Sequence, residues 1–287
     1  MAKKDSFVEK IKTLIDISRP INVAMVVFGV LVTFFARPPG PLNLELLFPT
    51  IIAAAFIAAG GNAINDYYDV FIDKINRPDR PLPSGKITLR GIWAYAFALF
   101  AIGIVVSWLL PFWSFLIAFT NAFLLAIYAY RLKRSGFFGD LVISYLVASV
   151  FIFAGTAIDN LEIGFILAIA AFFTNTAREI LKDLEDIKGD KMFGVRTLPL
   201  IAGRKKSVIF VSSFLVISIL VSPFPYTLGI LTYPYLVVAF VADGIFAYII
   251  YLLRKNTDLA TISKTQRLVK FGALFGLVAF LVGAIPL

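Results

Sequence analysis

The chain contains neither cysteine nor histidine among its 287 residues. The absence of cysteine excludes disulfides and thiolate metal sites. The absence of histidine excludes zinc centres that need imidazole ligands, and it also excludes histidine as a general base. Any metal bound by this chain must therefore be held by oxygen ligands, which hard divalent cations prefer.

Charged residues are also scarce. They make up 16% of the chain, whereas soluble domains average about 25%. Hydrophobic residues make up 60%, and phenylalanine alone occurs 29 times. This composition indicates a polytopic membrane protein. The amino-terminal segment MAKKDSFVEKIKTLID is polar and amphipathic and lacks the apolar core of a signal peptide, so we expect it to be retained.

Nine apolar segments have the length of membrane-spanning helices, which need about 17–25 residues. Their approximate bounds are 20–36, 47–68, 91–110, 112–130, 138–157, 161–181, 207–222, 235–253 and 268–286. No linker or low-complexity tract separates them. We therefore predict an all-α protein in which residues 1–287 form a single domain, a bundle of nine transmembrane helices.

The connections between these segments alternate sharply in charge. All of the 27 basic residues except Arg37 fall on the side that also carries the amino terminus. The positive-inside rule then places the amino terminus in the cytoplasm and predicts a multi-pass protein of the cell membrane. For Lys3, Lys4, Lys205 and Lys206 we infer no role beyond this orientation.

Two acidic clusters follow the second and the sixth segments, and both have the pattern D-x-x-D-x-x-x-D. Their aspartates, matched in pairs 117 positions apart, are Asp66, Asp69 and Asp73 in the first cluster and Asp183, Asp186 and Asp190 in the second. An offset of four spans returns the chain to the same side of the membrane. A four-helix repeat would therefore be parallel rather than inverted, although two short acidic motifs can also match by chance.

The spacing of each cluster places its three carboxylates within an arc of about 60° on a helix. Like charges on one face repel each other, and the negative end of the helix dipole also disfavours them there. This pattern does not stabilise the helix that carries it, but a bound divalent cation would explain it. We therefore predict a two-sided cage for cations bound to a diphosphate. The alternative is a solvated acidic surface.

Basic residues follow three of the segments on the same side. The run KINRPDRPLPSGKIT after the first cluster is stiffened by proline. Arg77 and Arg80 in this run could bind a phosphate through paired contacts, or could serve orientation alone. Lys133, near the end of the fourth segment, is a further phosphate candidate. The neighbouring tyrosines, such as Tyr128, could instead be residues of the membrane interface.

Two polar residues lie inside predicted spans. Asn175 falls in the sixth segment and Asp243 in the eighth. Polar groups within a membrane are functional candidates by default. Asp243 could equally be a structural partner of a neighbouring helix.

The stretch NDYYDVFIDKINRPDRPLPSG resembles the first signature, N-x-x-x-D-x-x-x-D, of the UbiA superfamily of intramembrane prenyltransferases. DLEDIKGD resembles the second signature, D-x-x-x-D. The resemblance implies a nine-helix fold and a prenyl diphosphate held through Mg²⁺. The metal ligands that it implies are Asp69, Asp73, Asp186 and Asp190. It also implies that Asn65 orients the diphosphate and that Arg77 and Lys133 contact its phosphates. Our further candidates for substrate contacts are Arg80, Tyr128, Asp66, Asp183 and Asn22.

Three further stretches are similar to the archaeal digeranylgeranylglyceryl phosphate synthases: NRPDRPLPSGKI, GDLVISYLVASVFIFAG and REILKDLEDIKGDKMFGVRTLP. This similarity implies transfer of a geranylgeranyl group from its diphosphate to a phosphorylated glycerolipid. Because the cytoplasmic side is rich in cations, we expect some of them to bind the acceptor phosphate, and Arg131, Lys182 and Arg196 are candidates because they lie close to the motifs but outside their cores. The expected partners are these two substrates and membrane lipids, with no nucleic acid. The alternatives are a quinone precursor or chlorophyllide as acceptor, or a cation transporter.

Overall fold

The computed structural model describes residues 7–36, 43–192 and 194–285, without the side chains of Asn76 and Lys188. Within these ranges the regular structure is entirely helical, which confirms the predicted all-α class. The helices are α1 (Phe7–Ser18), α2 (Pro20–Phe35), α3 (Leu44–Asn76), α4 (Leu89–Ser107), α5 (Phe112–Tyr130), the 3₁₀ turn η1 (Leu132–Arg134), α6 (Phe137–Ala157), α7 (Leu161–Met192), α8 (Leu198–Ala202), α9 (Arg204–Val221), α10 (Phe224–Thr227), α11 (Tyr233–Lys255) and α12 (Leu259–Gly283).

The described helices include eight that are long and apolar enough to cross a membrane, so this is a multi-pass membrane protein. A ninth span requires α1 and α2 together, and these are bent by 55° relative to each other. On its own, α2 has 16 residues. Its length is therefore about 24 Å, which is shorter than the bilayer hydrocarbon core of about 30 Å. The count of nine therefore stays a prediction. Lys3, Lys4 and Arg37, used for orientation, lie outside the described residues.

Two helices run well beyond the apolar segments that predicted them. The second segment was predicted to end near residue 68, but α3 continues to Asn76. The sixth was predicted to end near residue 181, but α7 continues to Met192. Hydropathy detects only the apolar part of a helix, whereas the polar continuation keeps the same backbone. Both aspartate clusters consequently lie within helices.

The chain divides into two compact units. The first contains α1, α2 through Val30, and α3 to α5. The second contains the rest of α2 from Leu31 and everything from Arg131 onwards. Each unit contains one of the two aspartate clusters.

The first unit is organised around α3, which contacts α1, α4 and α5. Its buried positions include Ala53, Ile57 and Ala63. The approach of α4 is so close that a Cβ atom on Gly103 would lie 2.7 Å from Cγ1 of Ile57. Small residues allow such approach, and van der Waals packing then stabilises the helix pair inside a membrane. Through these contacts α3 is held in place along its length.

The second unit is organised around α7, which contacts α6, α8, α9 and α12. Its core includes the fully buried residues Leu181, Leu215, Ile249 and Ile262. The pair formed by α11 and α12 packs against this core. The second cluster therefore begins within the stretch of α7 that contributes Leu181 and Leu184 to this core.

The spacing of 117 residues recurs in the helix boundaries. Leu161 begins α7 at that distance from Leu44, which begins α3, and Phe137 begins α6 at that distance from Pro20, which begins α2. This correspondence supports the proposed four-helix repeat. That repeat, like the single domain over residues 1–287, stays a prediction.

Candidate functional site

The first aspartate cluster lies on the last third of α3, where arginines surround two of its carboxylates. Asp66 and Asp73 are 5% and 6% exposed. The Oδ1 atom of Asp66 accepts hydrogen bonds from Nη2 of Arg19 and from Nη1 of Arg80, the latter at 3.4 Å. The same nitrogen of Arg80 donates to Oδ2 of Asp73 at 2.6 Å. Two carboxylates and two guanidinium groups thus form one ion-pair network.

The turn after α3 explains how Arg80 reaches the cluster. The helix ends at Asn76, ahead of Arg77 and Pro78, because proline disfavours helical conformation in the preceding residue. The Arg77 amide donates to the Asp73 carbonyl at 2.8 Å, and the Arg80 amide donates to the Arg77 carbonyl at 3.1 Å. The chain therefore folds back on the helix end. Arg80 is turned towards protein carboxylates, whereas the Arg77 side chain is exposed.

The other predicted residues of this unit lie on α2, α3 and α5. The Oδ1 atom of Asn65 is buried and has no hydrogen-bond partner among the described residues. Asp69 is half-buried on the same helix. Tyr128 is near the end of α5, which packs against α3. Asn22 is exposed in the first turn of α2.

The second aspartate cluster lies at the end of α7, beside a buried glutamate. Glu179 is 8% exposed. Its Oε1 atom accepts a hydrogen bond from Nη1 of Arg178 at 2.6 Å, and its Oε2 atom accepts one from Nζ of Lys182 at 3.3 Å. Asp183 is 9% exposed, whereas Asp186 is exposed. Lys182, predicted as an acceptor contact, is thus engaged by an acid of its own helix.

Unpartnered carboxylate oxygens concentrate in this part of the molecule. Asp140, in the first turn of α6, is next to Asp183. The Oδ2 atoms of Asp140, Asp183 and Asp190 are all buried, and none has a hydrogen-bond partner among the described residues. Burial, and after it the negative charge of Asp186, raises the pKa of Asp190. A nearby cation would stabilise the ionised form of such a carboxylate.

Two loops of the second unit carry exposed basic residues and contact each other. Arg131, Lys133 and Arg134 are exposed around η1, and Arg196 is exposed between α7 and α8. No carboxylate in the described part of the chain forms an ion pair with Arg131, Arg134 or Arg196. Gly136 has a φ angle of 65°, and a Cβ atom there would lie 1.8 Å from the carbonyl oxygen of Arg196. Only glycine fits at this contact, so the two loops approach each other closely here.

The two polar residues predicted inside spans have partners on neighbouring helices. Nδ2 of Asn175 donates to Oγ of Ser144 at 3.1 Å. Oγ of Ser222 donates to Oδ2 of Asp243 at 2.5 Å, and the Tyr235 hydroxyl donates to the Ser222 carbonyl at 2.6 Å. For Asp243, these contacts favour the structural alternative.

Sequence reasoning did not single out three residues that the structure brings to the clusters: Arg19, Asp140 and Glu179. Arg19 was assigned only to membrane orientation, although it directly precedes the first apolar segment. Asp140 is an acid in the first turn of a helix, where the dipole alone accounts for it. Glu179 belongs to the REILKD stretch that carried the resemblance, but its spacing differs from the aspartate pattern.

The oxygen atoms near the two clusters fit one kind of metal site better than another. Among the described residues, no group of three or more acidic side chains is arranged to hold a metal by itself. Mg²⁺ is usually bound by one or two carboxylates together with substrate phosphates, rather than by a closed protein cage. Each unit by itself offers buried oxygens that fit this second arrangement: Oδ1 of Asn65 in the first, and Oδ2 of Asp183 and Asp190 in the second. A hard divalent cation that shares its ligands with a phosphate therefore suits the residues present.

Comparisons with known proteins agree with the resemblance inferred from the two motifs. The model of the UbiA prenyltransferase family matches residues 26–275. Digeranylgeranylglyceryl phosphate synthase from Methanosphaera stadtmanae is 38% identical over 272 residues, which cover 94% of this chain and 98% of that protein.

Solved structures show the same relationship. A structure from a study of digeranylgeranylglyceryl phosphate synthase in membranes is 36% identical with a TM-score of 0.87, and the match covers 97% of this chain and 100% of the other. A UbiA homologue from Archaeoglobus fulgidus, solved with bound GPP and Mg²⁺, is 17% identical with a TM-score of 0.66, and the match covers 93% of this chain and 99% of the other. The second likeness concerns the fold alone.

Proposed function

This chain belongs to the UbiA prenyltransferase family, and we propose that it transfers a geranylgeranyl group from geranylgeranyl diphosphate to the free hydroxyl of geranylgeranylglyceryl phosphate. The observation that carries this proposal is the near full-length similarity, at 38% identity, to a digeranylgeranylglyceryl phosphate synthase. The two aspartate clusters support it, because carboxylates of this kind bind a diphosphate through divalent cations.

The proposed reaction exchanges one carbon–oxygen bond for another. The bond between the allylic carbon and the diphosphate oxygen breaks, and the diphosphate leaves with the electron pair. The acceptor hydroxyl oxygen forms an ether bond to the same carbon and loses its proton. Stabilising the negative charge on the departing diphosphate is therefore the main task of the protein groups.

On the donor side, we propose Asp69, Asp73, Asp186 and Asp190 as ligands of Mg²⁺. When bound, the metal neutralises charge that develops on the leaving diphosphate. Asn65 would orient the diphosphate through its buried amide, and the exposed Arg77 would contact a phosphate directly. Arg80 keeps Asp73 in place through the hydrogen bond at 2.6 Å.

On the acceptor side, we propose that the two touching basic loops recognise the phosphate of the lipid. Arg131, Arg134 and Arg196 are exposed, and no described carboxylate neutralises them. Guanidinium groups suit a phosphate because they donate two parallel hydrogen bonds. Lys182 is the weaker candidate of those predicted from sequence, because Glu179 already accepts a hydrogen bond from it.

The membrane setting suits these substrates. Each buried methylene of a prenyl chain contributes about 0.8 kcal/mol, so a C20 chain stays in the bilayer and must be accepted there. We propose that the protein is located in the cell membrane with its aspartate clusters facing the cytoplasm, where a phosphorylated lipid presents its head group. The excess of basic residues on that side supports this orientation.

The direct test offers several acceptors in parallel to the purified protein. Labelled geranylgeranyl diphosphate would be incubated with geranylgeranylglyceryl phosphate, its dephosphorylated form, an aromatic quinone precursor and chlorophyllide, and the products separated by thin-layer chromatography. We expect the phosphorylated glycerolipid to be prenylated fastest. Faster prenylation of another acceptor would refute the lipid assignment and leave prenyl transfer standing. Ion movement in liposomes without pyrophosphate release would favour a transporter.

The role of the two basic loops in binding the acceptor can be tested separately. Arg196→Gln should raise the KM for the acceptor and leave the donor KM nearly unchanged, because it removes binding at one substrate only. Arg254→Gln is the matched control, since Arg254 is an exposed cation of the same unit at the end of α11. An equal acceptor KM in the two variants would exclude Arg196 from acceptor binding.

A further inference from the structure

Arg19 occupies the joint between α1 and α2 in an uncommon backbone conformation. Its φ angle is 52°, which residues with a Cβ atom seldom adopt. The two helices that meet at this joint are bent by 55°. Such a conformation persists only where surrounding contacts determine it, and it often marks a functional position.

The contacts that determine this joint come from α1, α3 and α4. Nδ2 of Asn62 donates to the Ser18 carbonyl at 2.9 Å. Oγ of Ser18 and the Tyr95 hydroxyl are hydrogen-bonded at 2.7 Å, and the Tyr95 hydroxyl also donates to the Leu14 carbonyl at 3.2 Å. The backbone on the amino-terminal side of Arg19 is therefore fixed. This geometry aims its guanidinium group at α3.

The guanidinium group of Arg19 pairs with Asp66, an aspartate outside the N-x-x-x-D-x-x-x-D signature. Asp66 is 5% exposed, so leaving its charge unpaired would be costly. Nη1 of Arg80 is 3.4 Å from Asp66 but 2.6 Å from Asp73. The shorter contact is thus to Asp73, while Arg19 neutralises Asp66.

We propose that Arg19 is a positioning residue of the first cluster: by neutralising Asp66, it leaves Arg80 bound to Asp73. Without Arg19, the buried Asp66 carboxylate would draw Arg80 away, and Asp73 would lose the hydrogen bond that holds it. Asp66 in this arrangement binds arginines rather than metal or substrate. The inference rests on the proposed function, because that proposal makes Asp73 a metal ligand.

The experiment compares Arg19→Gln, Asp66→Asn and the double variant in the full-length protein. Arg19→Gln should lower kcat/KM for geranylgeranyl diphosphate by about 10- to 100-fold, the usual cost of removing a group that supports a metal ligand. Asp66→Asn should cost much less, because Arg80 still binds Asp73. The double variant should recover to the level of Asp66→Asn. Arg90→Gln removes an exposed cation of the same unit and is the matched control.

A second readout needs neither metal nor turnover. In a chelator, thermal unfolding of Arg19→Gln should occur at a lower temperature than that of the double variant, because only the single variant leaves a buried carboxylate poorly paired. Failure of the parent protein to prenylate any acceptor would overturn the proposed function, while this measurement would still test the pair.

Three results would overturn the positioning role. A double variant as impaired as Arg19→Gln in donor kcat/KM would show that Arg19 contacts the substrate itself. Loss of turnover in Asp66→Asn alone would make Asp66 a ligand. Equal kinetics of Arg19→Gln and Arg90→Gln would show that the ion pair does not matter for the reaction.

Discussion

Replacing Gly136 with alanine should separate the two basic loops proposed to bind the acceptor phosphate. The added Cβ atom would lie 1.8 Å from the carbonyl oxygen of Arg196 and 2.9 Å from the Thr197 amide nitrogen. Real contacts of this kind seldom fall below about 3 Å, so one backbone must move by roughly 1 Å or more. Since both partners are backbone atoms, no side-chain rotation can relieve the contact.

The expected loss of folding stability in Gly136→Ala has two parts. The φ angle of 65° at Gly136 is itself unfavourable for alanine, at about 1–3 kcal/mol. The steric contact adds about 1–3 kcal/mol, as for other overpacked sites. Gly194→Ala isolates the first part, because Gly194 has a φ angle of 67° but nothing within 4 Å of its ideal Cβ position. Gly136→Ala should therefore be less stable than Gly194→Ala by about 1–3 kcal/mol.

The assay combines stability with kinetics. Thermal unfolding in detergent should place Gly136→Ala below Gly194→Ala, and the acceptor KM should rise more in Gly136→Ala because Arg196 moves with its backbone. Equal unfolding temperatures and equal acceptor KM values in the two variants would refute the close contact and its role. A rise in donor KM alone would show that these loops serve the diphosphate instead.

Further predictions concern the clusters and the buried polar groups. Four single substitutions should nearly abolish turnover and leave the fold intact: Asp69→Ala, Asp73→Ala, Asp186→Ala and Asp190→Ala. A fully active Asp186→Ala protein would exclude a role for the second cluster. Activity should require added Mg²⁺ or Mn²⁺ and vanish in excess EDTA, since the chain offers only oxygen ligands; full activity in the chelator would contradict a metal-bound diphosphate. Asp243→Ala should lower stability by about 1–3 kcal/mol through loss of the hydrogen bond from Ser222, with kcat unchanged; reduced kcat at unchanged stability would restore a catalytic role for Asp243.

The polar last turns of α3 and α7 could not be predicted from hydropathy alone. Hydropathy located the apolar stretches of α3 and α7 but placed their ends too early, because the last turns of both helices are polar. The aspartate spacing nevertheless predicted the correct grouping on one helix, since helical period depends on the backbone and not on hydropathy. The membrane class, the helical fold and the two clusters follow from such short-range regularities.

The ion-pair network around the first cluster joins residues that are far apart in the sequence. Arg19 and Asp66 are 47 positions apart, and no pattern within a few helical turns links them. From the sequence, Arg80 was a candidate either for a phosphate contact or for membrane orientation alone, and its hydrogen bonds to Asp66 and Asp73 could not be predicted. Which charges neutralise each other is set by burial and distance, and both are properties of the packed helices.

Composition and short-range spacing were enough to identify the apolar helices, the two matched aspartate clusters, oxygen as the available metal ligand, and the motif pair that identifies the family. These features depend on residues within a few helical turns of each other. Which of these residues come into contact depends instead on the tertiary structure. It placed Asp140 beside Asp183, bound Glu179 to Lys182, and brought Gly136 against Arg196. Such contacts require the packing of separate helices and loops, which no local spacing encodes.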